Sequence, residues 1–398
     1  MFLDLIRRRN PALVTDAIAL HQQGRIPANS YVIDLDTVRE NARQLRAAGD
    51  RHKLSVFAMT KQMGRNPAFC RALREGGIEA AVAVDMECAR VTRRAGLRIG
   101  NIGHLVQVPR AEADAAASLE PAYWTVFNDE KAAEAAEASA RRGQSQALLA
   151  RIQAPGDLFY KGHEGGFDAD AIVAVADRLD ALPDARFAGI VTFPALLFDH
   201  AARKVLPTRN LGTLEAAADK LRAAGRRDLQ INAPGTNSAV LFETLAAAGA
   251  TQVEPGHGLT GTTALHIFED LPERPAAVYL TEVSHHYGGK AYCFGGGLYI
   301  DPIFPAYDLK AVVAAEPTTA ASSLLSVEIP PPEAIDNYGM IDVPAGRVVR
   351  PGDSVVFGFR IQAFVTRAYV VGVAGIGSGN PTPQGIFTAL GAPASWPA

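Results

Sequence analysis

Between residues 54 and 254 the chain repeats one pattern: a short apolar run, then an alanine-rich stretch with helical spacing. The runs are LSVFAMT (54–60), EAAVAV (79–84), IGNIGHL (99–105), YWTVFN (123–128), ALLARIQ (147–153), FAGIVTF (187–193), LQIN (229–232) and TQVE (251–254). Runs this short and largely apolar are strand-like. The segments between them, such as NPAFCRALREGG, MECARVTRRAGL, EKAAEAAEASARRG, ADAIVAVADRLDAL and NSAVLFETLAAAG, have helical periodicity, and several end in the glycine expected just past a helix. Eight strand–helix units predict a closed (β/α)8 barrel of the TIM type. A doubly wound open sheet is the alternative, but the early Gly-rich dinucleotide turn that usually accompanies it is missing.

The flanks differ in texture. A helix is expected around Pro11–Gln23, followed by the apolar segment SYVIDLD, so residues 1–37 are taken to lead into a barrel over 38–272. From about 275 the sequence becomes rich in Val, Tyr and Phe punctuated by Gly and Pro, which predicts an all-β domain over 273–398. The 39 Lys+Arg against 42 Asp+Glu leave a net charge of −3, too balanced for a nucleic-acid binder. Cys70, Cys88 and Cys293 lack disulfide or zinc-ligand spacing, and no apolar stretch has signal-peptide or membrane-span character, so a soluble cytoplasmic protein is expected.

Barrel chemistry gathers where strands end. The residues there are Lys61, Asp85, His104 with Gln107, Asn128, Gln153, Thr192 with Phe193, Asn232 and Glu254, with Arg151 pointing inward from the fifth strand. A lysine leaving an apolar strand is either a solvated charge or an amine whose pKa desolvation lowers, suited to a Schiff base. EPGHG (254–258) and NAPGTNS (232–238) set a carboxylate and two Gly turns on adjacent strands, where backbone amides can hold a phosphate. A lysine, a carboxylate and a phosphate cup on one rim are what pyridoxal phosphate requires, the carboxylate keeping the pyridine nitrogen protonated.

At these residues the chain resembles the fold-type III pyridoxal-phosphate enzymes, the alanine racemase-like superfamily, and within it the YhfX-type group. The passages that carry the resemblance are SYVIDLDTVRENA, SVFAMTKQMGRNP, VDMECAR and QVEPGHGLTG, with MTKQMGRNP and AYCFGGG pointing to the narrower group. The resemblance implies that Lys61 is the internal-aldimine lysine, that Gly235, Thr236, Asn237, Gly256 and His257 surround the phosphate, and that the protein is a homodimer with shared active sites. It also implies an amino-acid racemase or epimerase that removes the α-proton. Glu254 stands where alanine racemases carry an arginine, as in the related decarboxylases, so a lyase or decarboxylase is the competing reading. A non-catalytic pyridoxal-phosphate carrier and a cofactor-free Schiff-base aldolase are further alternatives. Thr192 and Phe193 occupy the place of the ring-stacking histidine. Ile361 and Ala363 align with the metal ligands of similar dehydratases and aldolases, so no metal is expected.

Racemisation needs a second proton-transferring group opposite the lysine. SHHYGGKAYC offers Tyr287, then His286 and Cys293, with His285 and Lys290 nearby; a packed interface hairpin is the alternative. Arg360 and Gln362 alternate on an expected strand and would bind a substrate carboxylate or the phosphate, unless Arg360 forms an ion pair. For Arg151 the choice is between supporting the cofactor and a structural salt bridge. Asp85 and Glu87 suit helix capping, and GIGSGN (375–380) lacks the Lys-Ser/Thr that would make it a phosphate loop.

Overall fold

The computed structural model describes residues 1–398 apart from 303, 305, 306, 332, 397 and 398. Contacts divide the chain into two units, one of residues 42–60 and 73–259, the other of 1–41, 61–72 and 260–398.

The first unit is the expected barrel. Its strands run Ser55–Val56 with Ala58–Met59, Ala80–Ala83, Arg98–Ile102, Tyr123–Val126, Gln146–Gln153, Ala185–Val191, Gln230–Asn232 and Gln252–Val253. All neighbours pair in parallel, and the ring closes on its first segment: Val56 pairs with Val253 while Ala58 pairs with Ala81. The fifth strand, QALLARIQ, is buried along seven of its eight positions, as a strand sandwiched between helices and the barrel interior must be. Helices start on capping side chains. Asp85 accepts from Cys88 N–H at the head of Met86–Arg94, and Asn128 accepts from Lys131 N–H at the head of Asp129–Ala140, so both strand-end residues serve the backbone.

Closure on the sixth and seventh strands depends on Gly189, which pairs with Gln230. A Cβ at Gly189 would lie 1.8 Å from the Gln230 carbonyl oxygen, so the two backbones meet only because no side chain intervenes. Gly189→Ala is expected to lower stability by about 3 kcal/mol or more, measured as a fall in the urea midpoint.

The second unit is mainly antiparallel sheet. The strands Lys290–Phe294, Tyr338–Asp342, Leu324–Glu328, Lys310–Ala314, Ser354–Phe357 and Ala277–Tyr287 follow one another, and the last pairs back onto the first. The sheet also takes in Ser30–Asp34, antiparallel to Ala277–Tyr287 on one side and parallel to Tyr369–Ala374 on the other. All five residues of SYVID are buried, which is why that segment shows no alternation. Residues 1–41 therefore cluster with the C-terminal sheet, where the sequence suggested a lead into the barrel. Helices Phe2–Arg9 and Pro11–Gln22 bury Leu3, Ile6, Leu13, Val14 and Ile18 against sheet residues such as Val278, Val356 and Val371.

The GIGSGN loop has a structural occupation: Gly375 N–H donates to Asp36 and Gly377 N–H to Asp16. Two of its backbone donors are taken by the chain's own carboxylates.

Candidate active site

Inside the barrel, polar side chains form a continuous ladder. Thr125 Oγ1 donates to Asn101 Oδ1, and Asn101 Nδ2 donates to Glu254 Oε1 at 3.2 Å. Asn232 Nδ2 donates to the same Oε1 at 2.8 Å and to Gln252 Oε1 at 3.1 Å, and Gln252 donates onward to Gln230. The six side chains come from four barrel strands or the residue just past one of them, so closing the barrel is what assembles the ladder. Glu254 is held at one oxygen by two neutral amides, while Oε2 accepts no hydrogen bond among the described residues and faces His104 Nε2 at 3.5 Å. Burial pushes the carboxyl up to about 7, partly offset by the Asn232 and Asn101 hydrogen bonds and by the Arg151 charge.

Arg151 is fully buried, as expected of an inward residue of the fifth strand. Its Nη2 donates to the carbonyls of His163 and Phe193, its guanidinium lies 5.2 Å from the Phe127 ring, and its Nε has no hydrogen-bond partner among the described residues. Burial lowers it to about 10, with Glu254 and Asp157 opposing, so it stays cationic at neutral pH.

The two Gly loops do come together. Glu254 N–H donates to Asn237 Oδ1 at 2.9 Å, and a Cβ on Gly258 would lie 2.5 Å from Asn237 O. Asn237 Nδ2 is buried without a hydrogen-bond partner among the described residues. Gly235 has a different reason to be glycine: a Cβ there would meet Leu196 O at 2.6 Å, and Thr236 N–H donates to that same carbonyl. The Thr236 amide is thus spent on the hairpin Leu196–Asp199/Lys204–Pro207. Gly256 precedes the turn His257–Thr260, where His257 is buried. At the end of the sixth strand the buried Thr192 hydroxyl has no hydrogen-bond partner among the described residues, and the Phe193 ring is ringed by His104 at 5.8 Å, Tyr160 at 5.6 Å and His163 at 5.9 Å. Tyr160 and His163 come from the loop after the fifth strand, whose Gly- and Lys-bearing sequence carried no periodic signal.

Lys61 opens the turn Lys61–Met63 two residues past Met59, partly exposed, with its ammonium 5.1 Å from the Phe364 ring. The turn is braced from the second unit's sheet. Asn66 Nδ2 donates to Val370 O while its Oδ1 caps Ala68 and Phe69, and Gly64, at φ +58°, lets Ala389 O approach to within 2.7 Å of where a Cβ would lie. The residues of MTKQMGRNP around the lysine are thus the ones that fix its backbone.

The hairpin Ala277–Tyr287/Lys290–Phe294 turns at Gly288–Gly289. Tyr287 is 75% exposed at its tip and His286 is exposed, whereas His285 stacks on Tyr292 at 4.7 Å. Lys290 pairs with Glu328 and Asp342. Cys293 is fully buried and its thiol is pushed up to about 12 by desolvation, an environment that keeps it protonated at neutral pH. Arg360 and Gln362 lie beyond the end of the strand Ser354–Phe357, not on it as the alternation suggested. Both donate to Asp301 Oδ2, Gln362 at 2.9 Å, so the ion-pair alternative describes Arg360 here.

The alanine racemase N-terminal domain model matches residues 33–264, more than half of the chain. The chain belongs to the fold-type III, alanine racemase-like family. Residues 278–382 match the YhfX-like C-terminal domain. The uncharacterized protein YhfX of Escherichia coli (strain K12) is 37% identical over 391 residues, covering 98% of this chain and 99% of that one. Three solved structures share the fold. D-threonine aldolase from Filomicrobium marinum has 17% identity and a TM-score of 0.65 over 92% of this chain and 96% of its own. Alanine racemase of Clostridium difficile 630 has 15% and 0.65 over 92% and 99%. D-threo-3-hydroxyaspartate dehydratase from Delftia sp. HT23 has 16% and 0.63 over 91% and 97%.

Members of this family generally carry pyridoxal phosphate, and the residues present fit that group. A protonated ring nitrogen needs a carboxylate oxygen with a free lone pair, which Glu254 Oε2 has; a phosphate needs donors, and Asn237 Nδ2 is a buried donor without a hydrogen bond. Among the described residues no helix is long and apolar enough to cross a membrane.

Proposed function

We propose that this chain is a pyridoxal-phosphate enzyme of amino-acid metabolism, a racemase or epimerase that removes and returns the substrate's α-proton. The observation that supports the cofactor in this reading is Glu254, a buried carboxyl fixed at one oxygen by two amides, with no hydrogen bond to the other among the described residues. Lys61 would hold the cofactor through its ε-amine and move the α-proton on one face. Glu254 would accept from the ring nitrogen, Asn237 with the Gly256–His257 turn would take the phosphate, and Phe193 would lie against the ring. When bound, the cofactor supplies an electron sink for the pair left behind by the α-proton. Arg151 keeps a positive charge near Glu254, which favours the ionised carboxylate that such a ring nitrogen needs.

On the other face, Tyr287, with His286 behind it, is the proton donor we assign, reaching the barrel of a second copy in a cytoplasmic homodimer. The exposure of both residues at a hairpin tip supports that role, and the burial of Cys293 argues against its sharing it. A lyase or decarboxylase is the second reading, favoured by the carboxylate at position 254, since a ring kept protonated also serves carbon–carbon and elimination chemistry.

The deciding experiment incubates the protein with pyridoxal phosphate and single amino acids in deuterated water. α-Deuteration with inverted configuration is the expected result. Release of carbon dioxide, ammonia or an aldehyde without inversion would assign the lyase reaction instead, and a protein that neither binds the cofactor nor exchanges α-hydrogen would refute both.

A further inference from the structure

The proton on Glu254 is not governed by Glu254 alone. Oε1 accepts from Asn101 and Asn232, side chains that do not titrate, so a proton held by this carboxyl sits on Oε2. Oε2 faces the Nε2 of His104 at 3.5 Å, and both side chains are 1% exposed. The Arg151 charge also acts on Glu254, and the Phe193 ring meets the imidazole edge-on at 90°.

The position of His104 is strongly determined. It follows Gly103, whose φ of +81° and whose close approach to Thr125 O, 2.5 Å from where a Cβ would stand, exclude other residues. Gln107 then locks the turn: its Nε2 donates to Gly103 O at 2.6 Å and Thr125 O at 3.0 Å, while its Oε1 accepts from Phe127 N–H. A rim glutamine that the sequence marked as a chemical candidate is the clamp that aims a histidine.

We propose that His104 is a positioning residue for Glu254, orienting Oε2 and sharing its proton, so that the site holds an ionised carboxylate toward the cofactor's ring nitrogen through the pair rather than through the glutamate by itself. This rests on the assignment of Glu254 to that nitrogen. The exchange is balanced within the pair: carboxylic acid plus neutral imidazole becomes carboxylate plus imidazolium, the proton passing from Oε2 to Nε2 with no change in total charge. A sealed barrel interior tolerates such a step where it would resist gaining or losing a net charge.

The test uses the cofactor-free protein first. The infrared carbonyl band of the protonated Glu254 carboxyl, identified by its disappearance in Glu254→Gln, is followed from pH 5 to 9. In His104→Leu its midpoint is expected to rise by about one pH unit, a tenfold change in proton affinity, because the carboxylate loses its partner. His104→Gln, which keeps an amide donor, should shift it by less than half as much. An unmoved midpoint in His104→Leu overturns the proposal. Should that variant not fold, the 15N resonances of His104 in the wild-type protein decide: they must change with the midpoint of the Glu254 band, and an imidazole silent through that step also overturns it. Pyridoxal-phosphate affinity, read by fluorescence quenching, is measured separately and should fall about tenfold in His104→Leu. A coupled pair in a wild-type protein that binds no pyridoxal phosphate would sink the cofactor assignment and leave the pair standing; a cofactor-binding protein with an uncoupled pair would do the reverse.

Discussion

Lys61→Ala is expected to lower turnover by about three orders of magnitude or more, because on the proposed function one side chain would both tether the cofactor and move a proton. The sharper readout is covalent. Borohydride treatment of the wild-type holoprotein should leave a pyridoxyl group on the peptide carrying position 61, and the variant should leave none, although pyridoxal phosphate can still occupy the barrel through Glu254 and Asn237. The backbone of the turn is braced by Asn66 and Gly64, so the variant is expected to fold. A pyridoxyl label on any other lysine, or wild-type turnover in the variant, would remove Lys61 from the mechanism.

Glu254→Gln has the second large effect, with opposite signs in two assays. Turnover should fall by about a hundredfold or more, the cost of removing a preorganised charge partner. The cofactor-free protein should instead gain stability at neutral and higher pH. The folded carboxyl is raised to about 7 from its ordinary 4.5, so the folded state binds a proton that the unfolded chain has released. That contribution is fully present below about pH 4.5 and is lost as pH climbs through 7, amounting to about 3 kcal/mol at most. Urea midpoints at pH 5 and pH 8 should therefore differ more in the wild type than in Glu254→Gln. Equal slopes in the two proteins would show that Glu254 does not titrate in this range.

Much of this was legible in the sequence, for identifiable reasons. Strands buried on both faces advertise themselves as unbroken apolar runs, so QALLARIQ and FAGIVTF were found within about two residues of their observed ends. A polar residue in or just past such a run has few places to go, and Arg151 and Glu254, expected to point inward and at the rim, are both buried. The same reasoning misjudged residues whose partners are distant in sequence. SYVID carried the right strand character, but nothing local says that its neighbours are residues 277–280 and 369–373. Gly235 invited an anion because glycine allows close approach, yet what approaches is Leu196 O, a backbone atom no motif encodes. Arg360 and Gln362 have strand-like alternation, but the strand stops at Phe357 and an aspartate nearly sixty residues earlier claims them both. His104 and Gln107 were visible as polar residues on a rim; that one aims the other emerges only when the third and fourth strands are side by side.

The placement of Ser30–Asp34 in the middle of the C-terminal sheet has a consequence for biosynthesis. During translation this strand leaves the ribosome early, while its partner Tyr369–Ala374 is made near the end of the chain. For most of that time both of its edges are open, and an apolar strand with open edges is the kind of segment that chaperones shield and that associates with other nascent chains. The barrel segments lie between the two and can pair as they emerge, so the order of folding should run from the middle of the chain outward. Ribosome-stalled chains ending before residue 369 should accordingly protect the barrel from protease while leaving the first thirty-odd residues cleavable.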